Sequence, residues 1–132
     1  MAFSVPNDSE VRMLEYILNK TSPQDLDIRL FSNNHVPSET DTVANYTEVA
    51  GGGYNLIQLV PVSWSISAAD PSIATHTQVS WTFTGAVGDI YGYYVTRRTS
   101  GDLMWAEQFN NGPYTINSNG DEIRITPRLS LS

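Results

Sequence analysis

Polar and apolar residues alternate along most of this chain, with one departure near its start. Val11, Met13, Leu14, Ile17 and Leu18 recur at helical spacing, while Arg12, Glu15, Tyr16, Asn19 and Lys20 fall on the other side. This predicts an amphipathic helix over residues 8–20, capped by Asn7 or Asp8. Asn7 and Glu10 have capping-box spacing, and Thr21-Ser22-Pro23 stops the helix. Its apolar side is expected to cover one end of a β core or to dock on a partner. Residues 1–6 read as an extended arm. Phe3, Val5 and Pro6 could pack on this chain or clamp a neighbouring copy.

Beyond the helix the period shortens to two. Leu26, Ile28 and Leu30 alternate with Asp25, Asp27 and Arg29, which predicts a strand with one buried face. Ser32–Thr42 is a polar loop, and Tyr46–Val49 has the makings of a short strand. Gly51-Gly52-Gly53 is a hinge leading to a strand at 56–60. Val62, Trp64 and Ile66 alternate in another strand, 67–72 is a loop, and Val79, Trp81 and Phe83 mark a clear amphipathic strand. Tyr114–Ile116 is a short strand. Asn119-Gly120 signals a hairpin turn into a last strand carrying Ile123, Ile125, Leu129 and Leu131, with Pro127 as an edge or a break.

The chain is organised around 89–109. Two runs, Asp89–Thr96 and Leu103–Phe109, flank the turn Arg97-Arg98-Thr99-Ser100-Gly101-Asp102. Both are bulky at successive positions, as central strands are. Tyr91, Tyr93 and Val95 point one way; Ile90, Tyr94 and Thr96 point the other. One small core does not easily bury both sets, so Tyr93 and Tyr94 are candidates for a subunit or ligand interface. In all, about eight short strands and one leading helix predict a mainly β, antiparallel sandwich or jelly roll. The 132 residues make one domain: an arm at 1–6, the helix at 8–20 and the β-sandwich at 25–132.

Composition narrows the chemistry. There is no Cys, which removes disulfide scaffolds, Cys-ligated zinc and thiol nucleophiles. The net charge of −7 disfavours nucleic acid and anionic lipid as partners; the only basic cluster is Arg97-Arg98. No segment has the length of a membrane span, and Met1–Asp8 lacks the basic start and apolar core of a secretory leader, so the sequons at Asn19 and Asn45 carry no weight. His35 and His76 have no nucleophile or metal spacing around them. Asp25 and Asp27 read as a solvated strand face rather than as a glycosidase pair or a calcium site. Glu107, among apolar neighbours, needs a partner, and Arg97 or Arg98 across the hairpin is the expected one. Gly51-Gly52-Gly53 lacks the Lys-Ser/Thr of a phosphate loop. No catalytic, cofactor or metal residues are expected. Exposed apolar His35-Val36-Pro37 joins the interface candidates, with Arg97 and Arg98.

Several motifs also form a resemblance over nearly the whole chain. Leu18-Asn19-Lys20-Thr21, Gly51-Gly52-Gly53-Tyr54, Trp81-Thr82-Phe83-Thr84-Gly85, Ile90-Tyr91-Gly92-Tyr93, Trp105-Ala106-Glu107 and Ile125-Thr126-Pro127 resemble, in this order, small virion structural proteins of tailed bacteriophages. Proteins of this kind are similar to capsid cement, or decoration, proteins. That resemblance implies a sandwich or jelly-roll domain on the capsid surface, a homo-trimer, the major capsid protein as partner, and no enzyme activity. The alternative it leaves is a tail or fibre module binding a tail partner or host carbohydrate.

Overall fold

The computed structural model describes residues 2–131, with side chains for residues 4–130. Over these residues the chain is mainly β, with antiparallel sheets and one α-helix. In chain order the elements are β1 (Ala2–Ser4), α1 (Asn7–Ile17), β2 (Leu26–Phe31), β3 (Ile57–Leu59), β4 (Trp64–Ser67), β5 (Ser72–His76) and β6 (Val79–Thr82). Then come β7 (Gly88–Ile90), β8 (Gly92–Arg97), β9 (Leu103–Gln108), β10 (Tyr114–Ile116), β11 (Glu122–Ile125) and β12 (Arg128–Leu131).

The central sheet has the order β1-β9-β8-β2-β3, so β8 and β9 of the expected hairpin are inner strands, while the first run breaks at Tyr91 and its start belongs to β7. From that hairpin the pairing spreads outward in nested steps. β8 pairs with β9, β7 with β10, β6 with β11 and β5 with β12. Residues 72–131 are therefore one long antiparallel ribbon folded back at the 97–102 turn. β4 adds a third strand beside β5. The Asn119-Gly120 turn does not make the expected hairpin: β10 and β11 pair with different strands. Asp121 holds that turn instead, accepting the backbone amides of Asn117 and Ser118 at 2.9 and 3.1 Å. The 67–72 loop ends in a strand, β5, whose Ser-Ile-Ala-Thr run is too small and polar to announce itself. The last run breaks at Pro127, which separates β11 from β12.

Both faces of the central sheet are covered, which corrects the reading of the tyrosines. Tyr93 and Val95 join Ile28, Leu30, Leu59, Trp81, Phe83 and Trp105 in the main core. Tyr94 points to the opposite face and joins Phe31, Tyr46, Leu103 and Ala106 in a second one. Tyr93 and Tyr94 are 4% and 3% exposed, so neither offers a free interface. The second core exists because the polar loop after β2 folds back over the sheet. Tyr46 stacks on Tyr94 with ring centroids 5.1 Å apart, and Phe31 meets Tyr46 edge-on at 5.0 Å. Gly92 makes room: a Cβ there would collide with the Glu107 carbonyl and the Phe31 ring. Instead of a strand at 46–49 there is a single bridge, Phe31 to Glu48.

One buried carboxylate pins this loop. Asp41 Oδ2 accepts the Tyr46 hydroxyl at 2.7 Å, His35 Nε2 at 2.8 Å and the Ser38 amide at 3.0 Å. Burial pushes the Asp41 carboxyl up, but the Tyr46, His35 and Ser38 donors together outweigh it and hold the group below its ordinary value of 3.8. The folded pKa thus lies below the unfolded one. The clamp contributes its full stability above the unfolded value and loses it as pH falls through the folded value. Tyr46→Phe is expected to cost roughly 1–3 kcal/mol, because it strips a donor from a buried carboxylate. Asp41→Asn should remove part of the fall in stability on acidification. Urea melts from pH 7 to pH 3 check both; a Tyr46→Phe melt equal to wild type would show that the loop is held by packing alone.

Candidate functional site

The helix is turned around relative to its sequence pattern. α1 starts at Asn7 with Pro6 as its N-cap, not with an Asn7 box. The amides of Ser9 and Glu10 both reach the Pro6 carbonyl. It ends early, at Ile17. Asn19 adopts φ 56°, and the Asn19 and Lys20 amides return to the carbonyls of Tyr16 and Glu15 at 3.1 and 2.8 Å. Between these ends its polar side faces the β core. Ser9 is fully buried, and its hydroxyl donates to the Met104 sulfur at 3.8 Å. Arg12 Nε lies 3.6 Å from Asp102, Arg97 donates to the same carboxylate oxygen at 2.7 Å, and the Arg97 guanidinium sits over the Tyr16 ring at 5.5 Å. The Ser100 hydroxyl, with Arg97 and Arg12, outweighs burial and keeps the Asp102 carboxyl below its usual range. These polar contacts fix the helix on β9.

The apolar stripe consequently faces solvent. Val11 is 48% exposed, Leu14 59%, Ile17 79% and Leu18 66%. The expected burial of this side is overturned; of its residues only Met13 turns partly inward. Beside the stripe runs an apolar groove of about 420 Å³, walled by Ile17, Tyr16, Pro23, Trp64, Met104 and Leu129. Trp64 stands edge-on to Trp105 at 6.3 Å and to His76 at 5.1 Å, so aromatic rings back the groove wall. Stripe and groove share Ile17 and form one continuous apolar surface. Burying a side chain of this size contributes about 1.5–3 kcal/mol, so the surface holds substantial unused binding energy.

The other expected interface residues are dispersed. The Phe3 side chain lies outside the described residues. Its backbone, with Ala2 and Ser4, pairs with β9 as an edge strand, so residues 2–4 are a strand of this chain's own sheet rather than a free arm. Val5 packs on the main core, and Pro6 is fully buried. His35 is spent on Asp41, while Val36 next to it stays open, 59% exposed. Arg97 is buried in its pair with Asp102. Arg98 donates to Asp27 at 2.6 Å, and this buries Asp27, the residue read as solvated. With both arginines committed, neither pairs with Glu107. Burial raises the Glu107 carboxyl above its ordinary value, and it lines a cleft with Tyr93 and Arg128.

Among the described residues no group of three or more His, Asp or Glu is placed to hold a metal ion, and no helix is long and apolar enough to cross a membrane. Comparison with protein-family models, with curated proteins and with solved structures finds no match for the chain. The helical period marks Val11, Leu14, Ile17 and Leu18 as one face. Only the polar anchors on the opposite side, which depend on tertiary structure, decide that this face turns outward.

Because both side chains are mostly open to solvent, Leu14→Gln with Ile17→Gln should change stability in dilute solution by no more than about 0.5 kcal/mol. Tyr16→Ala, which uncovers Arg97 and opens the groove, should cost about 1–3 kcal/mol. Chemical melts of the two variants side by side check this, and a large loss in the first would place the stripe in the core.

Proposed function

We propose that this chain is a capsid decoration protein of a tailed bacteriophage. It binds the major capsid protein lattice from outside and stabilises the shell, working by association rather than catalysis. The observation that carries this reading is the outward apolar face of α1, held open by polar anchors behind it. A chain that spends its polar contacts on presenting such a face is equipped to assemble with other protein. We further infer that β5–β12 form a jelly roll. Eight strands paired in nested order, outermost with outermost, are what results when one long two-stranded ribbon is rolled up, and capsid domains use this architecture. The motif resemblance to virion structural proteins supports the same class. Repeated over a shell, modest contacts add through avidity. Val36 on the loop over the second core, and Val62 and Ile66 around β4, are separate apolar points for lattice contact, open while the α1 face is engaged within the assembly.

A tail or fibre module binding carbohydrate is the second reading. Tyr114 favours it, since this tyrosine is open to solvent, pairs with Phe109 at 4.9 Å and lies in a cleft with Asp121, Glu122 and Arg124. Electron microscopy of intact particles carrying tagged copies separates the two. Label spread over the shell is the expected result. Label confined to the tail would overturn the decoration reading in favour of the second, and particles without label would overturn both.

A further inference from the structure

We propose that the outward face of α1 binds the same face of a second copy of this chain, with the two helices antiparallel across a two-fold axis. The inference rests on reading this face as an assembly surface and adds the identity of the partner.

Charge is distributed unevenly along the stripe. Glu10 lies at its N-terminal end, in line with Leu14 and Ile17. Lys20 lies just past its C-terminal end, where the helix has stopped at Ile17 and the turn at Asn19 frees it from the helical period. Both are exposed, and neither enters an ion pair among the described residues. A surface that is apolar in the middle, acidic at one end and basic at the other complements itself when reversed. Antiparallel pairing about an axis near Leu14 sets Val11 against Ile17 and Leu18 of the second copy. It also brings each Glu10 to the Lys20 end of the other helix. A two-fold interface requires this reciprocity, because every contact between two residues occurs twice, once in each direction. Parallel pairing would instead set acid on acid and base on base. The net charge of −7 repels at long range, but charges more than about 8 Å apart are largely screened at physiological salt, so the contact pairs decide. A helix stripe alone falls short of the roughly 800 Å² per partner of a stable interface. Ile17 also walls the groove, so the seam extends towards Pro23 and Trp64 and gains area there.

Sedimentation of the full chain over a concentration series at about 0.15 M salt tests this. Wild type should form a dimer. Leu14→Gln with Ile17→Gln should raise the dissociation constant at least about 100-fold, with circular dichroism unchanged. Glu10→Lys and Lys20→Glu should each raise it about tenfold. Mixing those two variants should restore a dimer, since each then meets opposite charge at both ends. A wild-type monomer at every concentration would overturn the proposal. So would a dimer indifferent to the Leu14 and Ile17 changes, a trimer built through this face, or a mixture no tighter than the single variants. Labelled capsids together with a solution monomer would sink the pairing and leave the decoration reading standing. A dimer with no label on particles would do the reverse.

Discussion

Everything in this molecule depends on β8 being buried on both faces. Tyr93 and Tyr94 are neighbours in sequence, so the pleat sends their rings to opposite sides of the sheet, and each ring needs cover. The main core, with Trp81 and Phe83 from the ribbon, supplies it on one side. On the other, the chain recruits a segment rich in Ser, Asn and Thr, which has little to bury. Tyr46 is the exception in that segment, and it lands on Tyr94. The polar residues around it then serve as a frame, with Asp41 drawing three donors to one carboxylate oxygen. This second core of Phe31, Tyr46, Tyr94, Leu103 and Ala106 is small, but it completes the strand at the centre of the sheet.

The helix shows the opposite resolution of a similar conflict. Hydrophobic burial alone would turn Leu14 and Ile17 inward. Asp102 at the hairpin turn opposes this, because it gathers Arg97 and Arg12 and so draws the charged side of α1 onto β9. Turning α1 over would part Arg12 from Asp102, take Ser9 from its buried place beside Met104 and remove the Tyr16 ring from the Arg97 guanidinium. The polar side therefore packs and the apolar side waits. Arg97 serves both elements, since its guanidinium also roofs Tyr16.

Much of the β architecture was legible in the sequence. Alternation located β2, β4 and β6, which carry large apolar residues at every second position, and bulky residues at successive positions marked the central hairpin. β5 escaped, since Ser72-Ile73-Ala74-Thr75 has one large apolar residue, and its strand character comes from pairing with β4 and β12. Asn119-Gly120 misled because a turn dipeptide specifies local backbone, while the nested ribbon decides which strands meet. The interface was legible only in part. Periodicity grouped the α1 stripe correctly, but nothing local to the helix reveals which side faces the sheet. Arg97 and Arg98 looked like a surface pair; their carboxylates, Asp102 and Asp27, come from a turn and a strand brought beside them by the fold.

The nested ribbon also sets an order on assembly. Thr96 and Leu103 sit across a short turn, whereas Ser72 and Leu131, paired at the outer end, are separated by the whole ribbon. The entropy of loop closure grows with that separation, unless inner pairs have already drawn the outer strands together. The ribbon is in this sense a zipper with its slider at Arg97-Asp102. The same turn that starts the closure is the one on which α1 docks, and the last teeth to close bring Leu129 beside Ala74 to finish the wall of the groove. An incomplete chain end would therefore leave the centre of the sheet standing and fray the binding surface first.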